Sequence, residues 1–445
     1  FVIRGVTANT FDFMTADTAT SSVSGGGGAN VTYAEPIAVG ECDVGAGSGY
    51  GIGEYSDTDV MYGESLSDPT LVQFPRIWSA ATFGDDVVVT PGGGMPLYLW
   101  QQDTDVAPIV LANAPTTNDW VAESNSCVVS LYKRNYQTSE KGDATEWRYG
   151  SAEVGAAYLD EVQGVSEFIS HAKTKQASIL FTPSTVHNAR FVGLPDKWII
   201  DDLTLSDGLI GPRARIQIDN LVYWMGALDC YLTDGVSVET LPNNTLKEYV
   251  AAHLNTAQAW KTFCRPVPGR TQIWWIMPFD DSMEPNTAIA YDYNAKEWTL
   301  IGDMPRTAAE EQAILPTQPW MLNSVGEGEA IEVWTHHVGL NDGDSALGWF
   351  AETNSAAIGT GDSVMQILKL ICDGKQEGSM LATLYLKDSP RGEERTYGPY
   401  TIDETTEEIP ILESGRFRKW RFEQNGTNTS FIMGRMFEVV KKGIG

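Results

Sequence analysis

The chain has 445 residues, of which 42% are hydrophobic, and it carries 59 acidic against 30 basic residues, a formal net charge of −29. This length is enough to bury one large core or two to three smaller ones, and the longest apolar run, near Ile273–Pro278, is too short to span a bilayer. A body this acidic repels nucleic acid, which excludes a protein that grips DNA or RNA over its whole surface.

The acidic residues are unevenly distributed along the chain. Residues 1–125 contain sixteen acidic and two basic residues, whereas residues 387–445 contain ten of each. The acidic balance is open to two interpretations. It serves solubility in a crowded or salty setting, or it forms a wall that DNA passes without sticking.

Two features at the start of the chain are loops by composition. Residues 15–30 are rich in Thr, Ser and Gly and predict a flexible surface loop. The glycine-rich stretch Gly45–Gly53 lacks the GxGxxG register and any βαβ pattern, so it predicts an irregular loop and not a nucleotide site. Because Phe1 is not a Met, we also expect the chain to begin inside a longer protein.

Short apolar stretches separated by turn residues recur three times, at 74–101, 213–241 and 272–302. Turn signals at Gly84-Asp85, Asp219-Asn220 and Asp234-Gly235 are typical of antiparallel hairpins. Four consecutive short strands make one blade of a β-propeller. The sequence therefore predicts a mainly β protein built from propeller-like antiparallel blades.

One segment differs from this pattern. Residues 245–260 place apolar side chains at the i, i+3, i+4, i+7 spacing of an amphipathic helix, with Asn244 as a cap. After Trp349 the composition changes to small polar residues and then to further strand-like stretches. We therefore predict a propeller-like body over residues 1–362 and a C-terminal β-sandwich-like domain over residues 363–445.

No pattern in the sequence indicates catalysis or a cofactor. The five histidines form no HxH or HExxH motif, no GxSxG motif is present, and adjacent carboxylates such as Asp280-Asp281 arise by chance in so acidic a chain. The five scattered cysteines predict reduced, buried thiols. Loops at Ser56–Asp59 and Asn341–Asp344 are weak candidates for Ca²⁺. We expect no catalytic residue, no cofactor and no metal.

The one basic cluster is the stretch 415–421, GRFRKWR, and its candidate contact residues are Arg416, Arg418, Lys419 and Arg421. In a strand, Phe417, Lys419 and Arg421 share one face, and Arg416, Arg418 and Trp420 share the other. Three interpretations stay open: a solvated edge strand guarded by charge, a contact with an acidic partner or subunit, and a direct contact with DNA.

Several stretches occur in a characteristic order: 49–63 (GYGIGEYSDTDVMYG), 76–100 (RIWSAATFGDDVVVTPGGGMPLYLW), 179–195 (ILFTPSTVHNARFVGLP), 208–214 (GLIGPRA), 221–242 (LVYWMGALDCYLTDGVSVETLP), 273–278 (IWWIMP), 288–308 (AIAYDYNAKEWTLIGDMPRTA) and 414–434 (SGRFRKWRFEQNGTNTSFIMG). Together they resemble the tail nozzle and hub proteins (tail tubular protein B-like) of short-tailed bacteriophages.

That resemblance implies a non-enzymatic virion protein assembled in the host cytoplasm. It implies a homo-oligomeric ring, usually a hexamer, that continues and closes the DNA ejection channel. The implied partners are other copies of the chain, the portal-adaptor, and tail fibre or needle proteins, with DNA passing without specific binding. Two alternatives stay open: a secreted β-propeller that binds or hydrolyses glycans, and a ligand-binding propeller domain of a larger bacterial surface protein.

Overall fold

The fold is given by a computed structural model, which describes the greater part of the chain. The described residues are 3–4, 12–13, 77–101, 107–149, 154–159, 162, 166–175, 177–194, 197–204, 207–242, 246–267, 269–309, 320–323, 332–336, 338–359, 363–372, 375–427, 429–432 and 437–442. The predicted loops at 15–30 and 45–53, and the candidate Ca²⁺ loop Ser56–Asp59, lie outside them.

Four-stranded sheets follow one another in chain order. A short pair, β1 and β2, consists of Ile3–Arg4 and Asp12–Phe13. The first sheet contains β3 to β6, at Ser79–Phe83, Asp86–Thr90, Tyr98–Trp100 and Ile109–Val110. The second contains β7 to β10, at Trp120–Ser124, Cys127–Tyr132, Asn135–Thr138 and Ala157–Leu159. The third contains β11 to β14, at Ser170–Lys173, Ser178–Phe181, Val186–Gly193 and Lys197–Thr204.

The fourth and fifth sheets keep the same order of strands. The fourth contains β15 to β18, at Arg215–Ile218, Leu221–Met225, Cys230–Thr233 and Val238–Thr240. The helix α1, Leu246–His253, and a 3₁₀ turn, Ala259–Lys261, come next. The fifth sheet contains β19 to β22, at Phe263–Val267, Gln272–Met277, Thr287–Asp292 and Glu297–Ile301. In each sheet neighbours in sequence are neighbours in space, which is the connectivity of propeller blades.

The remaining strands build smaller sheets and a C-terminal sandwich. β23 to β25, at Ala308–Ala309, Trp320–Asn323 and Glu332–Thr335, form one sheet. β26 and β27, at Asn341–Asp342 and Ser345–Ala346, form a hairpin. The C-terminal strands β28 to β37 are Phe350–Glu352, Ala356–Ala357, Met365–Ile371, Lys375–Glu377, Met380–Lys387, Arg395–Ile402, Glu408–Gly415, Phe417–Gln424, Ser430–Ile432 and Phe437–Lys442.

The chain divides into two compact units. One comprises Phe1–Leu209 with Asp219–Glu239, and the other Ile210–Ile218 with Thr240–Gly445. In the first unit, β3 contacts β7 and β7 contacts β11, so the first strands of successive sheets lie side by side. The described cores fill the space between those sheets, with Trp147 in one cluster and Trp120, Phe168 and Trp198 in the next.

In the second unit, the C-terminal strands form a β-sandwich, as predicted. One sheet has the order β28-β35-β32-β33, with β29 also on β35, and the other has the order β34-β30-β37. Their facing sides share one core that includes Ile367, Leu384, Trp420 and Phe422. The boundary at residues 362 and 363 stays a prediction, and β28 and β29 of the sandwich precede it.

The predicted helix is present but ends earlier than its periodicity indicates. It stops at His253 because the backbone N–H of Asp280 donates to the carbonyl of His253, and Leu254 forms a β-bridge with Phe279. These contacts with the chain after β20 replace the next turn of the helix. Among the described residues, no helix is long and apolar enough to cross a membrane.

Candidate functional site

The basic strand predicted at 415–421 is β35, a central strand of the larger sandwich sheet. It pairs antiparallel with β32 along its length and with β28 and β29 on its other side. Trp420 and Phe422 are buried in the core, so the side chains of Phe417, Lys419 and Arg421 belong to the outer face. β35 is therefore not an edge strand, and the interpretation of an edge guarded by charge is wrong.

The two cations on the outer face of β35 are already paired. Lys419 Nζ lies 3.2 Å from Glu352 Oε1 and 3.7 Å from Glu394 Oε1, and 4.5 Å from the ring centre of Tyr385. Arg421 Nε donates to Glu423 Oε2 at 3.0 Å, and its guanidinium lies 4.2 Å from the ring centre of Phe350. We call this surface, made of Phe350, Glu352, Tyr385, Lys387, Glu394, Lys419, Arg421 and Glu423, the outer face of β35.

The outer face of β35 has no net charge. Lys387 Nζ lies 3.0 Å from Glu394 Oε2, so three cations face three carboxylates. A phosphate group approaching this face meets the carboxylates as well as the cations, which weakens the counterion release that drives binding of nucleic acid. Pre-paired charges and half-exposed aromatic rings favour contact with another protein surface.

The other two candidate cations do not extend this face. Arg418 lies in register with Leu386 on β32 and with Ala356 on β29. It is two residues from the buried Trp420 on the same strand, so the two residues belong to the same face of the sheet. Arg416 lies in the bend before β35, where its N–H donates to the carbonyl of Lys387 and its own carbonyl accepts from Ile358. The four residues are close in sequence but divide between two faces.

A hydroxyl, an imidazole and a carboxylate line up in the third sheet, an arrangement that the sequence did not indicate. His187 Nδ1 donates to Asp202 Oδ1 at 2.8 Å, and His187 Nε2 lies 2.7 Å from Thr185 Oγ1. Burial lowers the pKa of His187, and the hydrogen bond and charge of Asp202 oppose that shift. The neutral ring therefore accepts a hydrogen bond from the Thr185 hydroxyl at Nε2.

The exposure of this trio is the reverse of that in a nucleophilic site. In a catalytic triad of hydroxyl, histidine and carboxylate, the hydroxyl is accessible to the substrate and the carboxylate that orients the histidine is buried. Here Thr185 is 7% and His187 0% exposed, while the side chain of Asp202 is 56% exposed. Thr185 also lies 2.8 Å from the Thr182 hydroxyl, so the trio stabilises the turn between β12 and β13.

Two other histidines, His253 and His336, have structural partners. His253 Nδ1 donates to Asp280 at 2.8 Å, and Arg306 Nε donates to His336 Nε2 at 3.0 Å. His337 lies outside the described residues. Among the residues that are described, no three His, Cys, Asp or Glu side chains come together as a metal site would require.

The described cysteines are free thiols, as expected. Cys127, Cys230 and Cys264 are buried and Cys372 is half-buried, while Cys42 lies outside the described part. Burial raises the pKa of Cys127 to about 12, and the charge of Glu140 adds to this shift. A thiol with such a pKa carries almost no thiolate at neutral pH and is a poor nucleophile.

Asp207 is a buried carboxylate that sequence reasoning missed. It accepts hydrogen bonds from the backbone N–H groups of Ala227 at 2.9 Å, Leu228 at 3.0 Å and Asp229 at 3.3 Å, and from the Tyr231 hydroxyl at 2.9 Å. Burial and this bond raise the pKa of Tyr231. Gly226 is the residue that could have indicated the role of Asp207, because a Cβ atom at position 226 would overlap the Asp207 carboxylate.

Two exposed tyrosines form a small aromatic surface on the second sheet. The ring centres of Tyr149 and Tyr158 lie 5.4 Å apart at an interplanar angle of 33°. The Tyr149 hydroxyl donates to Gln137 Oε1 at 3.0 Å, and Asn135 Nδ2 donates to the Tyr158 hydroxyl at 3.3 Å. Half-exposed tyrosine rings have an apolar face and a polar hydroxyl, so they suit contact with a partner surface that is itself part apolar and part polar.

Comparisons with known proteins place the chain in no family. No protein-family model matches it, and no curated protein matches it. Among solved structures, it is similar to the computationally designed Ika8 protein, in the crystal packing termed No.1 in P63, with a TM-score of 0.35 and 13% identity. That match covers 65% of this chain and 81% of the designed one, and a likeness of this strength carries no argument about function.

Proposed function

We propose that the chain is a structural protein of a short-tailed phage tail, one copy of a homo-oligomeric nozzle or hub ring. The observation that carries the proposal is the outer face of β35, where three cations and three carboxylates are already paired beside exposed aromatic rings. Such a surface suits contact with a neighbouring protein, and the acidic remainder of the chain suits the wall of a channel for DNA.

The function of the ring would be mechanical and electrostatic. Four-stranded sheets with densely packed aromatic cores are rigid, so they hold the geometry of a channel. Acidic walls repel the phosphates of the genome within about 8–10 Å at physiological salt, so DNA slides through without being held. The proposed partners are other copies, the portal-adaptor, and tail fibre or needle proteins. The proposed location is the virion tail, after assembly in the host cytoplasm.

Electron microscopy of the purified protein and of virions tests this function. We expect rings of one size, hexameric by the resemblance, and the same chain at the tail tip. A protein that stays a monodisperse monomer at every concentration and associates with no virion would contradict the proposal. Fluorescence anisotropy with duplex DNA should show no binding at physiological salt.

A charge reversal tests the outer face of β35 within that assembly. Lys419→Glu places a carboxylate against Glu352 and Glu394, so we expect the variant to enter virions several-fold less than the wild type in a complementation assay. The control is Arg391→Glu, the same change at an exposed position. Equal incorporation of both variants would show that this face makes no contact in the tail.

A glycan-binding β-propeller is the second candidate, and the Tyr149–Tyr158 pair favours it. Isothermal titration with a panel of bacterial surface polysaccharides tests it. Binding that is lost in Tyr158→Ala and retained in Tyr293→Ala would support this function in place of the ring. If no polysaccharide of the panel gives a heat of binding, the glycan-binding function is rejected.

A further inference from the structure

The turn that follows β35 contains the one Asn-Gly pair of the sequence, Asn425-Gly426. Both residues are exposed, and the pairing of β35 with β32 ends one residue earlier, at Gln424. Gly426 has a φ of +100°, which glycine adopts at no steric cost, and a Cβ built there would meet nothing within 4 Å beyond its chain neighbours. The pair therefore lies in open solvent, outside the ladder that fixes the strand.

An asparagine followed by glycine can modify itself, which makes asparagine a thermolabile residue. The backbone nitrogen of the glycine attacks Cγ of the asparagine and closes a five-membered succinimide. The Cγ–Nδ2 bond breaks, and ammonia leaves with the proton of the attacking nitrogen. Water then opens the ring. Addition at Cγ gives aspartate, and addition at the backbone carbonyl carbon gives isoaspartate, in which the chain runs through Cβ and Cγ. The only co-reactant is water.

The attacking nitrogen is free at this turn. Within the part of the chain that the structure describes, no group accepts a hydrogen bond from the N–H of Gly426. Other exposed asparagines differ. The N–H that follows Asn125 donates to Glu123 Oε1 at 2.8 Å, and the N–H that follows Asn294 donates to Asp292 Oδ1 at 2.9 Å. Those bonds must break before attack, so the structure favours reaction at this turn.

Asn425 also ties the end of β35 to the start of β32. Its N–H donates to the Ser379 carbonyl at 3.2 Å, its Nδ2 donates to the Ser379 hydroxyl at 3.0 Å, and that hydroxyl donates to the Asn425 carbonyl at 3.3 Å. A carboxylate has no N–H to donate to the hydroxyl. Isoaspartate, in addition, turns the Asn425 carbonyl into a free carboxylate. Either product therefore disrupts this link.

We infer that Asn425 is a site of spontaneous modification in the folded protein, where it converts to aspartate and isoaspartate and loosens the link between β35 and β32. The inference does not rest on the proposed ring, because the reaction needs only this chain and water. The new carboxylate lies two residues from Glu423. The outer face of β35, neutral at first, thus gains a negative charge beside it as the protein ages.

Peptide mapping of the intact protein, aged at physiological temperature and mildly alkaline pH, tests the modification. Mass spectrometry with electron-transfer fragmentation should find aspartate and isoaspartate at residue 425 several-fold more than at Asn125 or Asn294. Asn425→Gln should stay an amide, because its side chain would have to close a six-membered ring. A synthetic peptide of residues 422–430 is the positive control. Conversion at residue 425 that is no faster than at Asn125 and Asn294 would overturn the inference.

Hydrogen exchange of fresh and aged protein tests the loosened link. In the aged wild type, the amides at the end of β35 and the start of β32 should exchange several-fold faster than in the fresh protein. Those of β20 and β21 should be unchanged, and aged Asn425→Gln should match its own fresh sample. An aged wild type that carries isoaspartate at residue 425 and still exchanges like the fresh protein would show that the link does not depend on the amide.

Discussion

A single carboxylate holds the turn between β16 and β17. Asp207 accepts three backbone N–H groups and the Tyr231 hydroxyl, and it fills the space beside Gly226. We expect Asp207→Asn to lower the free energy of unfolding by roughly 2–3 kcal/mol, because the new amide NH₂ group faces donors that need an acceptor. Calorimetry should show a fall of roughly 5–10 °C in the transition of this unit.

The control for Asp207 is Glu239→Gln, which removes one carboxylate from an exposed site in the same unit. Its transition should stay within about 2 °C of the wild type, because exposed substitutions without such contacts change stability little. If the two variants shifted equally, the charge and not the hydrogen bonds of Asp207 would be responsible.

His187 makes stability depend on pH. Its pKa in the folded protein lies below the ordinary 6.5 because the ring is buried, so the unfolded state binds the proton first as pH falls. The stability that the neutral ring contributes is complete above pH 6.5 and is lost as pH falls from there towards the lowered pKa. The unfolding temperature should therefore fall less on acidification in His187→Gln than in the wild type.

A second variant checks the sign of this effect. Asp202 opposes the lowering of the His187 pKa, so Asp202→Asn should lower that pKa further and extend the acid-sensitive range to lower pH. NMR titration of the imidazole protons reads the pKa directly. A rise in the His187 pKa on removal of Asp202 would contradict the assignment.

Along β35, neighbouring residues should respond to substitution in opposite ways. Trp420 is buried in the sandwich core, so we expect Trp420→Ala to cost about 3–5 kcal/mol in the free energy of unfolding. Lys419 takes part in partly exposed ion pairs, and Lys419→Ala should cost under about 1 kcal/mol. Urea denaturation of the two variants measures both, and equal losses would mean that the outer face is as tightly packed as the core.

Short-range signals allowed several elements to be predicted from the sequence, and long-range contacts decided the rest. The turns Gly84-Asp85 and Asp219-Asn220 lie where their dipeptides predict them, with positive φ at Gly84 and Asp219. β19 was missed because Arg265 and Pro266 break its apolar pattern, and β33 because it contains Gly398 and Pro399. The end of α1 depends on Phe279 and Asp280, which no local pattern reveals.

At the scale of the whole molecule, the net charge of −29 opposes the association of identical chains. Added salt screens that repulsion, because the Debye length falls from roughly 20 Å near 0.02 M to about 6 Å near 0.3 M. We therefore expect self-association to strengthen over that range in sedimentation equilibrium. Association that weakens with salt would show that ion pairs between copies dominate the contact.

The candidate site shows what a sequence leaves hidden at this scale. The basic residues of β35 were visible as a cluster, and their alternation between two faces followed from strand parity. The pairing of these cations with carboxylates could not be predicted from the sequence, because both glutamates are distant in the chain. Glu352 comes close to Lys419 because β28 pairs with β35, and Glu394 does so from the turn between β32 and β33.

The meander connectivity of the four-stranded sheets also determines when each can form during translation. Every such sheet is made from one contiguous stretch of chain, so it can close once its fourth strand has left the ribosome, without waiting for distant sequence. The sandwich differs, because β28 and β29 pair with β35, which is synthesised later. Nascent chains arrested before residue 417 should therefore carry finished blades and an open C-terminal sheet, so the last domain to mature is the one that bears the outer face of β35.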